Sequence, residues 1–224
     1  MECLNCFKRI EDSVHWSNFF KGQEERKLCE ACLFNLQKIT GARCTYCSRQ
    51  TNKKVCFDCK RWKQIHNNYI ESNYSIFVYN DFMKDLITKW KYRGDYKIAE
   101  TFMDEFIEAF KHRFTFIKEP IIVPIPVSEE RLRERAFNQA KQLARFLPGE
   151  RVEALSRKHS EKQSKKKRVE RMASENPFLV EGPIYKPVIL VDDIYTTGST
   201  LQHAAERLKE KGCPAVYGFT LIRG

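Results

Sequence analysis

Two stretches of the chain carry residues whose types and spacing could do chemistry. In one of them, VILVDDIYTTGST at residues 188–200, four apolar residues lead into two carboxylates and then into hydroxyls around a glycine. A helix amino terminus offers free N–H groups and a positive dipole end, so this stretch predicts a phosphate-binding turn made of Thr196, Thr197, Gly198, Ser199 and Thr200. Asp192 and Asp193 would repel phosphate unless they serve another part of the ligand, such as sugar hydroxyls or a magnesium ion. A ribose 5-phosphate that carries further phosphates would use both halves.

The other stretch is the first 59 residues, which contain four C-x-x-C pairs. Four thiolates commonly hold Zn²⁺ in a tetrahedron, so eight ligands predict two sites. In each half, a turn-like pair precedes a pair that opens a helix-like run. This repeat predicts one site from Cys3, Cys6, Cys29 and Cys32, and another from Cys44, Cys47, Cys56 and Cys59. A cross-braced arrangement, in which the first pair joins the third, stays open. A redox motif normally comes singly, and closed thiolate sites stabilise or dock parts of a protein.

Composition narrows the class of protein without defining its fold. The 224 residues carry a net charge of +11, which suits polyanionic partners. The sequence starts with no charged region followed by an apolar one, and it has no run of about 18 apolar residues. We therefore expect a cytoplasmic protein without membrane insertion.

After the cysteine-rich module, expected over residues 1–66, the pattern changes to alternating strands and helices over 67–224. Residues 75–79 and 120–127 predict strands, and apolar stripes over 82–90, 98–110 and 137–147 predict helices. A charged loop is expected between 127 and 137. Residues 188–222 predict a βαβ unit, in which the continuous apolar run of the first strand indicates a parallel sheet covered on both faces. Because ligands of such α/β sheets bind at the carboxyl ends of the strands, residues 192–200 lie where a ligand is expected.

The 188–200 stretch resembles the phosphoribosyl pyrophosphate (PRPP) signature of type I phosphoribosyltransferases. The resemblance implies that Asp192 and Asp193 contact the ribose hydroxyls, that Thr196 to Thr200 bind the 5-phosphate, and that magnesium accompanies PRPP. It also implies a pyrophosphate loop after the first buried strand, here Ser128 to Arg131. The fold expected is thus a type I phosphoribosyltransferase-like parallel sheet with an amino-terminal zinc module. No signature for an acceptor base is recognisable, so activity and acceptor stay open.

Nearly the whole chain is similar to the ComF family of late competence proteins. The similarity is carried by KYRGD (91–95), VPIPVSEERLRERAFNQA (123–140), residues 156–178 and the PRPP signature. It implies a role in natural transformation, with single-stranded DNA and a ComFA-type helicase as partners. The family usually has Arg-Gly-Phe-Asn-Gln where this chain has Ala136 in place of glycine. If that position needs a positive φ, alanine there disturbs the expected geometry.

Residues 131–171 carry 14 lysines and arginines against five glutamates. The segment HSEKQSKKKRVER has no apolar periodicity and predicts a mobile loop between strand-like flanks. Three interpretations compete for it: a catalytic lid that neutralises departing pyrophosphate, a DNA-binding surface, or a solvated run of charge. The DNA interpretation assigns Lys165, Lys166, Lys167 and Arg168. Two functions follow: a competence accessory protein with a PRPP-binding pocket, or an active phosphoribosyltransferase that joins PRPP to an unidentified base.

Overall fold

The computed structural model describes residues 1–10, 26–65, 68–92, 95–158 and 176–224. Its centre is a five-stranded, all-parallel sheet with the strand order β1-β7-β6-β2-β3. A separate antiparallel pair is formed by β4 and β5. The strands are β1 Asn73–Val78, β2 Ile121–Pro124, β3 Glu150–Arg151, β4 Leu155–Arg157, β5 Phe178–Val180, β6 Val188–Tyr195 and β7 Val216–Arg223.

The central strand β6 shows why the sequence pattern predicts the sheet correctly. Val188 through Val191 are completely buried, as expected for a parallel strand that is covered on both faces. The strand pairs with β2 on one side and β7 on the other. It continues to Tyr195, so Asp192 and Asp193 belong to its carboxyl end rather than to the following loop. The predicted α/β fold class with a parallel sheet is therefore confirmed.

Helices cover the sheet and connect its strands. They are α1 Glu30–Phe34, α2 Phe57–Ile65, α3 Asp81–Tyr92, a 3₁₀-helix Tyr96–Phe102, α4 Met103–Arg113, α5 Glu129–Arg135, α6 Gln139–Phe146 and α7 Ser199–Glu210. The stripe over 98–110 was expected to form one helix, but its first part is 3₁₀. Gly212, with φ +94°, follows the end of α7.

The prediction of a charged loop between residues 127 and 137 is wrong, because this segment forms α5. The Ser128 hydroxyl caps the helix by accepting from the N–H of Arg131 at 3.4 Å. Glu129 and Glu130 lie in the first turn, and Arg133 and Arg135 lie in the last turn. At these ends each charge interacts favourably with the helix dipole. Capping and charge therefore define this helix, while it lacks the apolar stripe by which helices are usually predicted.

The cysteine-rich segment packs against the β1 side of the sheet. The N–H of Ile39 donates to the carbonyl of Ile76 at 2.7 Å, and the N–H of Asn73 donates to the carbonyl of Tyr46 at 2.7 Å. Buried cysteines of this segment contribute to both hydrophobic clusters of the chain. A boundary at residue 66 stays a prediction. Within the described ranges, no helix is both long and apolar enough to cross a bilayer.

Candidate functional site

A cavity of about 450 Å³ opens at the carboxyl ends of β2 and β6. The structure brings two separate sets of predicted residues to it. One set, which we call the turn wall, runs from Asp192 to Thr200. The other, the helix wall, runs from Ser128 to Gln139. The predicted residues that line the cavity are Ser128, Arg131, Asp192, Asp193, Thr196, Thr197, Ser199 and Thr200.

The turn that joins β6 to α7 depends on a glycine. Gly198 is the residue before the first turn of α7 and has φ +86°, a left-handed conformation that glycine adopts without steric cost. A Cβ atom there would lie 2.2 Å from the Tyr195 Oη atom, which no side chain tolerates. The Thr197 and Ser199 hydroxyls lie 2.9 Å apart, and both residues are buried. The sequence thus builds a tight turn with its hydroxyls already ordered.

The two acids at the end of β6 have opposite electrostatic environments. Asp193 forms an ion pair with Lys91, and each of these side chains is only 13% exposed. Burial acts to raise the pKa of Asp193, but the charge of Lys91 and its hydrogen bond outweigh burial and lower it. Burial and the neighbouring charge of Asp193 raise the pKa of Asp192 to about 8. Near neutral pH the pair therefore carries one negative charge, which lies on Asp193, while Asp192 is protonated.

The helix wall places positive charge opposite the acids. Arg131 is exposed at the cavity, whereas Arg135 is buried and lies over the Tyr92 ring at 5.3 Å. Arg135 also donates to the Gln139 Oε1 atom at 3.3 Å. Within the described residues, the buried Arg135 Nε and Gln139 Nε2 atoms have no hydrogen-bond partner. This wall can therefore supply cations and free donors to an anionic ligand.

Ala136, at the end of α5, occupies the position where the family usually has glycine. Its φ is +64° and its ψ is −8°, so the position does adopt the left-handed conformation. The chain keeps this geometry with alanine, at a steric cost of roughly 1 kcal/mol relative to glycine. The turn between α5 and α6 is therefore strained at this residue.

Several cavity residues were not predicted as site residues, namely Lys91, Arg135, Arg157, Lys158, Phe178 and His203. Lys91 and Arg135 lie in KYRGD and RAFNQ, two segments that carry the family resemblance. That resemblance is the sequence signal from which these two site residues could have been predicted. Arg157 and Phe178 pair across β4 and β5, with the guanidinium 5.5 Å from the ring centre. The predicted DNA-binding residues Lys165, Lys166, Lys167 and Arg168 lie outside the described residues.

The eight paired cysteines form two groups. They are Cys3, Cys6, Cys29 and Cys32 in the first group, and Cys44, Cys47, Cys56 and Cys59 in the second. Within each group all Sγ atoms lie within 4.8 Å of one another, so the structure has the sequential grouping and not the cross-braced one. None of the eight forms a disulfide bond.

The sulfur geometry fits a tetrahedral metal ion. Zn–S bonds of about 2.3 Å would separate the sulfurs of a tetrahedron by roughly 3.8 Å. The Cys6 and Cys29 Sγ atoms lie 3.6 Å apart, as do those of Cys47 and Cys56. A hydrogen bond from Cys59 lowers the pKa of Cys47, as does the charge of Arg223, although burial opposes them. The same hydrogen bond, together with burial, raises the pKa of Cys59, so without a cation the pair favours a single thiolate.

Comparison with known proteins first gives the class of the larger domain. Residues 98–223 match the family described as the phosphoribosyl transferase domain. A solved hypoxanthine phosphoribosyltransferase from Staphylococcus aureus is 17% identical, with a TM-score of 0.33. The match covers 55% of this chain and 64% of that enzyme, slightly less than two thirds of its length.

Curated relatives then define the particular family. The chain is 41% identical to competence protein ComFC of Bacillus subtilis over 99% of its own length and 94% of that protein. It is 30% identical to ComFC of Streptococcus pneumoniae over the full length of both. The chain therefore belongs to the ComFC family of competence proteins, and this membership supports a role in competence.

Proposed function

We propose that this protein handles single-stranded DNA during natural transformation, in the cytoplasm, and binds PRPP with magnesium in the cavity described above. The observation that carries the PRPP proposal is the single cavity shared by an acid pair, a glycine-containing turn at a helix amino terminus and a cationic wall. A volume of about 450 Å³ lies within the range of small-molecule sites, roughly 300–1,000 Å³.

Each part of PRPP has a chemically suitable partner in this arrangement. The turn residues Thr196 to Thr200 offer amides and hydroxyls to the 5-phosphate. Asp192 and Asp193 accept hydrogen bonds from the ribose hydroxyls. Ser128 and Arg131 on the helix wall face the pyrophosphate. Asp192 and Asp193 offer carboxylate oxygens that could also hold magnesium, which would supply positive charge to the diphosphate.

The two cysteine groups are proposed as structural zinc sites. Each supplies four thiolates and leaves no open coordination position, so the metal stabilises the fold rather than acting on a substrate. Metal analysis by mass spectrometry should find two zinc ions per chain. A value near one would reject one of the two sites.

The PRPP proposal is tested by thermal stability with and without ligand. A ligand that binds only the folded state raises the melting temperature, so PRPP with magnesium should stabilise the protein. The double variant Asp192→Asn with Asp193→Asn should lose this stabilisation, and PRPP without magnesium should give a smaller shift. The absence of any shift in the parent protein would reject the pocket assignment.

A second candidate function is catalysis of phosphoribosyl transfer to a base. It is favoured by the surface beside the acids, where Pro126, Val127 and the Arg157 guanidinium line the same cavity. Such a surface suits a flat aromatic ring, since bases stack on apolar and guanidinium faces. Release of pyrophosphate from PRPP, measured across a panel of bases, tests this function. Release with any one base establishes an enzyme, and no release with the whole panel leaves a binding protein.

The DNA-binding proposal depends on the basic segment with Lys165, Lys166, Lys167 and Arg168. Affinity for single-stranded DNA, measured by fluorescence anisotropy, should fall steeply with salt because phosphate contacts release counterions. Replacing the four cations by glutamine should reduce the slope of log K against log salt by about 3, from roughly 0.7 per contact. The control replaces exposed lysines far from the segment in sequence, Lys53, Lys54, Lys118 and Lys211.

Equal losses in the two quadruple variants would show that only net charge matters and would move the DNA site elsewhere.

A ComFA-type helicase is the proposed protein partner. Co-purification of the two proteins, followed by calorimetric titration, tests that contact. A titration without heat and a mixture that separates on a sizing column would reject it.

A further inference from the structure

The second cysteine group lies directly behind the predicted phosphate-binding turn. Trp62, three residues after the ligand candidate Cys59, is 3% exposed, and its indole N–H donates to the carbonyl of Thr197 at 2.7 Å. Arg223 donates to the carbonyls of Tyr195 and Thr196 at 3.0 and 2.9 Å. Three successive carbonyls of the turn are therefore held by two buried side chains.

Both side chains are tied to the second cysteine group. The Arg223 Nη2 atom lies 3.6 Å from the Cys47 Sγ atom and donates to it. Trp62 shares helix α2 with Cys59, so the position of its indole follows from the position of that cysteine. Neither Trp62 nor Arg223 lines the cavity, which shows that they reach the turn from the side away from it.

Because peptide groups are planar, contacts to the carbonyls of the turn also determine the direction of its N–H groups. In a trans peptide the carbonyl and the following N–H point in opposite directions. No peptide bond among the described residues is cis. Holding the carbonyls of Tyr195, Thr196 and Thr197 therefore turns the N–H groups of residues 196, 197 and 198 to the opposite side of the turn, which is the side where Thr196, Thr197 and Ser199 line the cavity.

The first cysteine group makes its contacts elsewhere. The Asn5 side chain donates to the Cys32 Sγ atom at 3.3 Å and accepts from Lys89 of helix α3 at 2.8 Å. Cys3 and Cys32 belong to the hydrophobic cluster that contains Met83 and Leu86 of the same helix. The chain thus offers a matched pair of similar cysteine sites, one at the turn and one on α3.

We propose that Trp62 and Arg223 are positioning residues for the phosphate-binding turn, and that the second cysteine group, when it holds its metal, preorganises the amides that receive the 5-phosphate. The first group has no such role. The inference rests on the proposed PRPP site, and it adds that one of the two structural metal sites is part of the ligand-binding machinery.

The most direct test removes the indole N–H and keeps the ring. Trp62→Phe should raise the Kd for PRPP with magnesium, measured by calorimetry, by ~5-fold to 10-fold, as expected for one lost hydrogen bond. Its control is Trp90→Phe, because the Trp90 indole is equally buried but donates to Gln142 at 3.0 Å on helix α6. The control should lose stability while its Kd stays within about twofold. Inorganic phosphate serves as a second probe, which carries the anion without the ribose.

A second pair of variants compares the two cysteine groups. Cys59→Ser and Cys29→Ser should each lose one metal ion by mass spectrometry, but only Cys59→Ser should raise the Kd, by at least ~10-fold. Should Cys59→Ser fail to fold, Arg223→Lys replaces it. This variant keeps the charge but loses the planar fork that reaches two carbonyls and a sulfur, so its Kd should also rise.

Hydrogen exchange of the peptide that spans residues 195–200 gives a readout that needs no ligand. Its amides should exchange faster in Trp62→Phe than in the parent, and at the parent's rate in Trp90→Phe. If the parent protein binds PRPP and phosphate but both tryptophan variants bind them equally well, the positioning role is wrong while the proposed function stands. If the parent protein binds neither probe, the proposed function itself is rejected, and this inference with it.

Discussion

The two walls of the cavity differ in how firmly their residues are fixed before a ligand binds. On the turn wall, Thr197 and Ser199 are buried, Tyr195 occupies the space that a side chain at Gly198 would need, and Asp193 is paired with Lys91. On the helix wall, Arg131 is exposed, and Ala136 holds a strained conformation. The turn wall is ordered before any ligand arrives, so little conformational entropy is lost there on binding. The helix wall offers an exposed cation, Arg131, that is still free to adjust, beside the buried Arg135.

The largest difference between the walls should appear at Asp193. Replacing it by asparagine breaks the direct contact of the nearly buried Lys91 with a carboxylate and leaves Asp192, whose pKa falls when the charge of Asp193 is removed, as its remaining counterion. The free energy of unfolding should therefore fall by about 3 kcal/mol, the low end for a broken buried ion pair. Denaturation by urea measures the loss. The double variant Lys91→Met with Asp193→Asn removes both charges and should recover most of it. A loss below about 1 kcal/mol for the single variant would mean that the pair is solvated and the turn wall less ordered than described.

The neighbouring acid should behave in the opposite way. Because the pKa of Asp192 is raised in the folded state from its unfolded value near 4 to about 8, the folded protein holds a proton that the unfolded chain has lost. The stabilising effect of that proton is complete below pH 4 and disappears as pH rises to about 8.

Asp192→Asn should therefore be more stable than the parent at pH 9 by on the order of 2 kcal/mol, allowing for partial solvent access. Thermal melts between pH 5 and pH 9 measure the effect. Equal slopes in the parent and the variant would show that Asp192 is ionised throughout. PRPP binding should be lost in Asp192→Asn even where stability increases, which separates the acid's proposed role from its effect on folding.

A smaller effect is expected on the helix wall. Arg131→Ala should raise the Kd for PRPP by about tenfold, because one charge-assisted contact to the pyrophosphate is removed, while the melting temperature should hardly change at this exposed position. Arg133→Ala is the matched control, since Arg133 lies on the same helix, is 84% exposed at its side chain and does not line the cavity. Similar Kd values for the two variants would remove Arg131 from the site.

The smallest change should come from relieving the strain at Ala136. Ala136→Gly permits the left-handed conformation without a Cβ atom, so the free energy of unfolding should rise by about 1 kcal/mol. The melting temperature should rise by roughly 2–4 °C. An unchanged or lower melting temperature would mean that the entropy of glycine in the unfolded chain cancels the gain.

Local patterns in the sequence were sufficient for the sheet and for much of the cavity. The apolar run at Val188 to Val191 predicts the buried central strand, and the hydroxyl-rich turn predicts which residues line the cavity beside it. The spacing of the C-x-x-C pairs predicts the grouping of the eight cysteines that the structure has. For the strand and the turn the information lies within residues 188–200 themselves, whereas the cysteine grouping follows from a repeat of pairs over residues 3–59.

Features that depend on distant residues could not be predicted. Lys91 pairs with Asp193, and Trp62 donates to Thr197 across 135 residues of sequence. Such contacts depend on how the helices lie against the sheet, and no local pattern encodes them. Helix α5 was missed for another reason, because capping by Ser128 and end charges support it without an apolar stripe.

The unequal protonation of the two adjacent acids also affects how binding is measured. A ligand that needs both carboxylates ionised must release the proton of Asp192 into the buffer. The observed heat then contains the ionisation enthalpy of that buffer, so titrations in PIPES and in Tris should differ below pH 8 and converge above it. The slope of observed heat against buffer enthalpy counts the protons that leave the site.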